Sequence, residues 1–490
     1  MLTWFVVLYL LVSIGIGLYA STRVHNSRDF VVAGRNLPLP IVTATVFATW
    51  FGAETVLGIS ATFVKEGLGG VVADPFGASM CLIIAGLFFA PLLYRMNLLT
   101  IGDYYRVRYN RVVELIMTVC IMISYLGWVS AQVVALGLVF NVVSDGAVTQ
   151  QAGMVIGISV VLTYTIFGGM WSVALLDFVQ MTVIMAALLL IGVLISGDAG
   201  GVGHVVSHAQ AAGKLNLLPA GGMEVWIPFI GAALTMMLGS IPQQDVFQRM
   251  TSAKDEKTAV RGSVTGGVLY FGFAFIPMFL AYAATLIDPK VFGNLIESDS
   301  QMILPSLILN HTPLVAQVLF FGALLSAIMS TASATLLAPS VMFTENILKH
   351  FAFRQMSDRQ MLRTMRIILL TFGGMVLWFA LHSESSIFHM VENAYKITLV
   401  GAFVPLAFGL YWKRANNQGA FLSIALGLGS WMLMEVLQPD TYWPPQLVGL
   451  LMSFSGMLAG SLLPNFIGRY AEPHRNPQHP TSPGEMGIGD

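Results

Sequence analysis

Apolar stretches of about twenty residues alternate with short polar connections along most of the chain. A helix rises about 1.5 Å per residue, so a stretch of this length crosses the roughly 30 Å hydrocarbon core of a bilayer. The pattern therefore predicts an all-α polytopic membrane protein with about thirteen transmembrane helices. The predicted spans are 3–21, 38–64, 71–94, 112–143, 152–167, 173–196, 226–248, 262–287, 313–347, 362–381, 386–411, 418–437 and 444–464.

The composition agrees with a chain whose main partner is the lipid bilayer. Of 490 residues, 56% are hydrophobic and only 10% are charged, whereas roughly a quarter are charged in soluble domains. We expect one membrane domain over residues 1–470 and a disordered cytoplasmic tail over 471–490, where prolines replace apolar residues. No nucleophile, phosphate-loop or metalloprotease motif occurs, so we expect neither an enzyme nor a nucleic-acid partner.

Lysine and arginine are distributed unevenly between the two sets of alternate connections. Twenty lie in one set, three lie in the other, and Lys396 lies within a span. Because these residues are enriched in cytoplasmic loops, the count predicts an external N-terminus and a cytoplasmic C-terminus in the inner (plasma) membrane. One connection of the basic set, 249–261, is predicted to be a solvated charged face.

Two predicted spans contain interruptions that a simple anchoring helix lacks. Glu54 lies inside an apolar stretch, where a carboxylate is expensive and indicates a functional site, and Gly52 precedes it by two residues. In the second span Pro242 removes a backbone donor, and Asp245 follows it. Simple kinks are one interpretation, since glycine and proline are common in membrane helices. Paired broken helices with an acid at each break favour a transporter instead.

Four short motifs then carry a family resemblance. They are 47–54 (FATWFGAE), 167–173 (FGGMWSV) followed by Asp177 and Gln180, 327–333 (AIMSTAS), and 409–414 (GLYWKR). These motifs resemble those of the sodium:solute symporter family, and locally its choline-transporter-like branch. The resemblance implies a LeuT-like fold with two inverted five-helix repeats, about 38–196 and about 226–411, one extra N-terminal helix and two extra C-terminal helices. It also implies sodium-coupled import of a small organic solute by alternating access.

The resemblance further implies a sodium site. Its ligands would be the backbone carbonyls of Ala48, Phe51 and Ala327 and the hydroxyls of Ser330 and Thr331. The chemistry agrees, because carbonyl oxygens can replace an ion's hydration shell. The carbonyls at the end of a broken helix also lack helical partners and lie at its negative end. Taken alone, the two hydroxyls would favour helix packing, and it is the motif that makes sodium binding the better interpretation.

Two residues near this site carry a further implication of the resemblance. Asp177 corresponds to the family's acid beside sodium, and Ser333 to a ligand of a second sodium in some members. Ala334 stands where those members have serine, so the resemblance supports a second sodium less well than the first.

The candidate solute-binding residues are Trp50, Glu54, Thr55, Trp128, Gln243 and Asp245. Trp50 and Trp128 resemble tryptophans that hold a quaternary ammonium by cation–π attraction, although helix packing explains them equally well. Gln243 replaces a tryptophan of the choline branch, and the two acids could bind an amine or hydroxyl groups.

The solute classes that follow are an amine, a quaternary ammonium or an amino acid. The alternatives are a symporter of a sugar or carboxylate, and a membrane sensor that kept the transporter fold. Glu392 and Lys396 are spaced i, i+4 and predict an ion pair inside the membrane. A structural or gating role is favoured for this pair, and direct contact with the solute is the alternative.

Overall fold

The computed structural model describes residues 2–349, 356–383, 385–437 and 442–464. These residues are helical almost throughout, and their β-structure is limited to one isolated bridge between Leu37 and Ala253. The prediction for the tail 471–490 lies outside the described residues.

The membrane helices and one short helix between them are numbered in chain order. They are α1 (Leu2–Ser21), α2 (Leu39–Trp50), α3 (Glu54–Glu66), α4 (Leu68–Arg95), α5 (Ile101–Arg108), α6 (Arg111–Val143), α7 (Gln150–Asp198), α8 (Met223–Gly239), α9 (Gln244–Ser252), α10 (Glu256–Ile287), α11 (Leu314–Leu348), α12 (Asp358–His382), α13 (Ile387–Tyr411), α14 (Asn417–Leu437) and α15 (Pro445–Leu462). Shorter helices in the connections are Ser27–Val32, Val202–Ala211, Pro289–Ser298 and Ile303–His311.

In the described part of the chain, ten helices are long and apolar enough to cross a membrane. The pairs α2/α3 and α8/α9 are bent by 53° and 45°, and the number of spans reaches twelve if each pair forms one. Helix α7 has 49 residues, about 74 Å at 1.5 Å per residue, which exceeds two bilayer cores. It contains two of the predicted spans, so the thirteen predicted stretches all correspond to helices, bent pairs or halves of α7.

The two halves of α7 meet at Gly169, whose backbone is not helical (φ 49°, ψ −138°). Glycine is required there for two reasons. A side chain disfavours this positive φ, and a Cβ atom would lie 2.4 Å from the carbonyl oxygen of Phe30. The FGGMWSV motif therefore provides the bend that lets the second half of α7 carry Asp177 into the protein.

Polar side chains join α5, α6 and α11 on the side of the protein that bears the arginine-rich connections. Asn346 Nδ2 donates to Asp103 Oδ1 (3.2 Å) and to Glu114 Oε1 (2.8 Å). Arg106 and Arg111 pair with these acids, at 2.8 Å from Asp103 and 2.6 Å from Glu114. We call Asp103, Glu114 and Asn346 the basal cluster; it holds three helices together at this end.

The prediction that 249–261 is a solvated face is wrong over 249–253, where all five residues are buried. Lys254, Asp255 and Lys257 are exposed, but Arg249 is only 1% exposed and belongs to α9. The physical reason is the bend before Gln244, which turns α9 inward so that it packs against α2, α10 and α11. Its polar side chains are consequently buried in the centre of the bundle.

Candidate functional site

The break between α2 and α3 exposes the backbone at the centre of the protein. Helix α2 ends at Trp50, Phe51 leaves the helical conformation (φ −87°, ψ 74°), and Gly52 follows. A Cβ atom on Gly52 would lie 2.6 Å from both Glu54 Oε2 and Thr331 Oγ1. The glycine therefore lets α11 and the carboxylate approach the broken backbone closely.

Oxygen atoms from α2 and α11 meet beside this break. Thr331 Oγ1 lies 3.5 Å from the carbonyl oxygen of Ala48 and 3.2 Å from that of Ala327. Helix-end carbonyls lack the i+4 amide that would otherwise bind them, so oxygens at the end of α2 are available to a cation. The structure thus places three of the predicted sodium-binding residues together, and Phe51 at the same helix end.

Asp177 joins this group from α7 and is fully buried. Its carboxylate accepts hydrogen bonds from Ser330 Oγ (2.6 Å) and from Thr45 Oγ1. Because Ser330 donates its proton to the acid, the lone pairs of its oxygen remain free for a cation. Ser333 Oγ donates to the carbonyl oxygen of Ser330 (2.9 Å). All the donor atoms are oxygens, and one carboxylate supplies negative charge, which suits a small hard cation such as sodium.

A cluster of three aromatic rings lies on the other side of the break. The centroid of Trp50 is 5.7 Å from that of Trp128 and 5.9 Å from that of Tyr395, which stacks on it at 15°. Trp128 and Tyr395 are 5.4 Å apart. All three are at most 2% exposed. Sequence reasoning missed Tyr395, since it lies on an amphipathic helix whose pattern is that of ordinary packing.

Glu54 anchors the break to α6 by both of its carboxylate oxygens. Trp128 Nε1 donates to Oε1 (3.1 Å), and Gln132 Nε2 donates to Oε2 (2.7 Å). Gln132 Oε1 also accepts from the backbone N–H of Ala53 (3.0 Å). Gln132 was missed because nothing in its local sequence distinguishes it from a helix-packing glutamine. Each carboxylate oxygen of Glu54 therefore already accepts one hydrogen bond within the protein.

Thr55 belongs to a separate polar group that extends towards α4 and α10. Its hydroxyl donates to the carbonyl oxygen of Trp50 (3.1 Å) and lies 3.0 Å from the hydroxyl of Tyr270. Tyr270 in turn donates to Asp74. The hydrogen bonds of Thr55 therefore connect it to the backbone of the break and to this polar network.

The second break, between Gly239 and Gln244, meets the same face of α6. Gln243 Nε2 donates to Ser124 Oγ (2.8 Å). The Tyr125 hydroxyl donates to Asp245 Oδ1 (2.5 Å) and accepts from the Asp245 backbone N–H (2.8 Å). Asp245 Oδ2 is buried and has no hydrogen-bond partner among the described residues. This free oxygen is an acceptor directed into a low-dielectric interior, where a cationic or N–H partner would satisfy it.

The predicted ion pair between Glu392 and Lys396 does not form. The carboxylate of Glu392 lies 3.5 Å from His389 Nδ1, and in the described ranges no carboxylate oxygen lies within 4.0 Å of the Lys396 ammonium. Both residues are half-buried, so their charges are stabilised by partial hydration and need no direct contact.

Comparisons with known proteins agree with this architecture. The sequence profile of the sodium:solute symporter family matches residues 30–427. The human high affinity choline transporter 1 is 28% identical over 451 residues, covering 86% of this chain and 74% of the relative. The Escherichia coli sodium/pantothenate symporter is 26% identical over 468 residues, covering 93% and 95%.

A solved structure shares the fold. A Na⁺-coupled sialic acid symporter, determined in a substrate-bound outward-open state, superposes with a TM-score of 0.80 at 19% identity, covering 94% of this chain and 97% of that one. The expected LeuT-like fold is therefore confirmed, while the limits of the two repeats stay a prediction. With the family profile spanning most of the chain and both broken helices in place, this multi-pass membrane protein belongs to the sodium:solute symporter family and couples the transport of a small solute to sodium.

Proposed function

We propose that this symporter imports an organic cation, an amine or a quaternary ammonium, with sodium bound at the junction of α2, α7 and α11. The sodium ligands would be the carbonyls of Ala48, Phe51 and Ala327 and the hydroxyls of Ser330 and Thr331. The 2.6 Å contact of Ser330 with Asp177 and the approach of Thr331 to two of the three carbonyls support this assignment. Asp177 offsets the charge of the ion.

The observation that carries the solute class is the combination of an aromatic cluster with buried acids. Trp50, Trp128 and Tyr395 provide π-faces that attract a cation within about 6 Å of a ring centroid. Asp245 has a buried oxygen without a partner, whereas both oxygens of Glu54 are already bound. Asp245 is thus the acid for the solute, and Glu54 the anchor of the break. The human relative is a choline transporter, which supports the same class.

Solute binding requires the central site to open. The three rings contact one another and are buried, so a solute is admitted only when they separate. Both broken helices contribute residues to the site, and their movement against α6 would expose it to one side at a time. A membrane potential then acts on sodium and on the cationic solute alike, each charge contributing about 2.3 kcal/mol per 100 mV.

We further propose that the N-terminus is external and that the basic connections face the cytoplasm. The twenty lysines and arginines in one set of connections, against three in the other, support this orientation. Single cysteines placed at Lys290 and at Lys257 test it in intact cells. An impermeant thiol reagent should label the first and spare the second, and the reverse pattern would overturn the orientation.

A solute screen with purified protein tests the solute class. Thermal stability is measured with choline, primary amines, amino acids, sugars and carboxylates, in sodium and in potassium at equal ionic strength. We expect a stabilising shift for organic cations that needs sodium. A sodium-dependent shift for a sugar or a simple carboxylate alone would overturn the proposal.

Uptake into proteoliposomes provides the second test. Uptake of the stabilising cation should need an inward sodium gradient and should be abolished by Ser330→Ala and by Asp177→Ala. Asp245→Asn should weaken solute binding much more than Glu54→Gln does, because only Asp245 retains a free oxygen. Uptake that continues without sodium would exclude the assigned coupling site.

A further inference from the structure

Arg249 is a buried cation that lies between the two broken helices. Its Nε donates to Thr49 Oγ1 (3.0 Å), and its Nη1 donates to the carbonyl oxygen of Asp245 (3.2 Å). Its Nη2 has no hydrogen-bond partner among the described residues. The side chain therefore connects α2 and α9 through neutral oxygens and leaves its Nη2 group without an acceptor.

No carboxylate oxygen within the described ranges lies within 4.0 Å of this guanidinium, although it is only 1% exposed. A buried charge without a paired partner is strongly unfavourable. Two buried carboxylates are reached through its own contacts: Asp245 lies one turn earlier on α9, and Asp177 accepts a hydrogen bond from Thr45, one turn before Thr49 on α2. One acid belongs to the proposed sodium site and the other to the proposed solute site.

The position of Arg249 suits a residue that responds to both sites. Thr49, which accepts from its Nε, stands between Ala48 of the sodium site and Trp50 of the aromatic cluster. A small cavity is lined by Trp50, Arg249 and Ser263, and the Ser263 hydroxyl is a second buried polar group without a partner in the part of the chain described. The guanidinium thus borders a small unfilled space that also touches Trp50 of the aromatic cluster.

We infer that Arg249 is a tethered cation that compensates Asp177 and Asp245 when sodium and solute have left, so that the empty carrier can close and return. The inference rests on the proposed function, because it assumes that both acids face transported cations. After release, two uncompensated carboxylates would resist closure in a low-dielectric interior. A fixed positive charge reduces this obstacle because it offsets one of the two negative charges, and it also lowers sodium affinity by repulsion.

Sodium binding provides a test that needs no knowledge of the solute. The midpoint for stabilisation by sodium chloride, at ionic strength held constant with potassium chloride, is compared between the unaltered protein, Arg249→Gln and Arg249→Lys. We expect the midpoint to fall at least threefold in Arg249→Gln, because repulsion is lost, and to change little in Arg249→Lys. An unchanged or raised midpoint in Arg249→Gln overturns the inference.

Transport then separates the return of the empty carrier from the other steps. Choline exchange, with sodium and choline on both sides of the membrane, does not need the empty carrier, whereas net uptake does. Arg249→Gln should lose at least tenfold in net uptake while keeping at least half of the exchange rate. Equal losses in both, or intact net uptake, would contradict the role. If uptake and thermal stability of the unaltered protein did not depend on sodium, the proposed function itself would be overturned instead.

Two further variants control for damage to the helix. Ser252→Ala removes another buried hydroxyl of α9 that has no partner among the described residues and should leave both transport modes unchanged. If Arg249→Gln does not fold, Thr49→Val removes the acceptor of Nε and should lower the sodium midpoint in the same direction. A Thr49→Val protein with an unchanged midpoint would then count against the inference.

Discussion

Replacing Thr331 by valine removes one proposed sodium ligand and keeps the shape of the side chain. In the structure this hydroxyl is 3.2 Å from the carbonyl oxygen of Ala327 and 3.5 Å from that of Ala48. Both distances are long for an O–H···O hydrogen bond, whose usual value is about 2.7–2.8 Å. The substitution should therefore lower the stability of the sodium-free protein by no more than about 1 kcal/mol.

The sodium-bound state should lose much more. An interaction of a hydroxyl with a charged partner contributes about 1.5–3 kcal/mol, and 1.4 kcal/mol corresponds to about tenfold in an equilibrium constant. Because little is lost without the ion, nearly the whole difference should appear in sodium affinity. We expect the sodium midpoint to rise roughly 10- to 150-fold in Thr331→Val.

The measurement is sodium-dependent thermal stabilisation, followed by the sodium dependence of uptake in proteoliposomes. Thr335→Val is the matched control, since Thr335 is equally buried one turn further along α11 and donates to the Thr331 carbonyl (2.6 Å). The control should shift the sodium midpoint less than threefold. A Thr331→Val protein that folds and keeps a midpoint within threefold of the unaltered protein would refute the assigned site.

Three further substitutions test other parts of the site. Gly52→Ala places a methyl group 2.6 Å from Thr331 Oγ1 and Glu54 Oε2 and should weaken sodium binding at least tenfold. The control Gly322→Ala meets open space and should leave sodium binding unchanged, so equal sodium midpoints in the two variants would contradict this prediction. Trp128→Phe keeps a ring but removes the 3.1 Å hydrogen bond to Glu54. The free energy of unfolding should fall by about 1.5–3 kcal/mol while sodium affinity stays unchanged; a lowered sodium affinity would place Glu54 at the ion. Asn346→Ala removes the donor that joins Asp103 and Glu114 and should favour opening on the side of the basic connections. A cysteine introduced by Ser263→Cys should then react with a thiol reagent at least threefold faster; an unchanged rate would show that the basal cluster has no part in gating.

Much of the site could be predicted because its signals are local in sequence. A glycine beside a buried acid marks the first break, and a proline before an acid marks the second, and the structure bends by 53° and 45° at these points. The family resemblance carried by the AIMSTAS and FGGMWSV motifs implied Ser330, Thr331 and Asp177, which the structure brings together. Backbone interruptions and hydroxyl motifs are visible in a single chain because each consists of neighbouring residues.

The residues that were missed depend on contacts between distant segments. Gln132 reaches Glu54 across 78 positions of sequence, and Tyr395 meets Trp50 only after α13 has packed beside α3. Arg249 was assigned to a solvated loop because charged residues follow it closely. Its burial is set by the direction of α9 after the bend, which hydrophobic periodicity does not encode.

Helix α6 explains how the two breaks can act together. Ser124 and Tyr125 hold Gln243 and Asp245 at the second break, and Trp128 and Gln132 hold Glu54 at the first. The steps of three and four residues from Tyr125 to Gln132 place these side chains on one face of the helix. Movement of either broken helix must therefore release hydrogen bonds on this shared face. Trp128 also belongs to the aromatic cluster. Movement of one broken helix against α6 therefore changes both the proposed solute site and the hydrogen bonds that hold the other break.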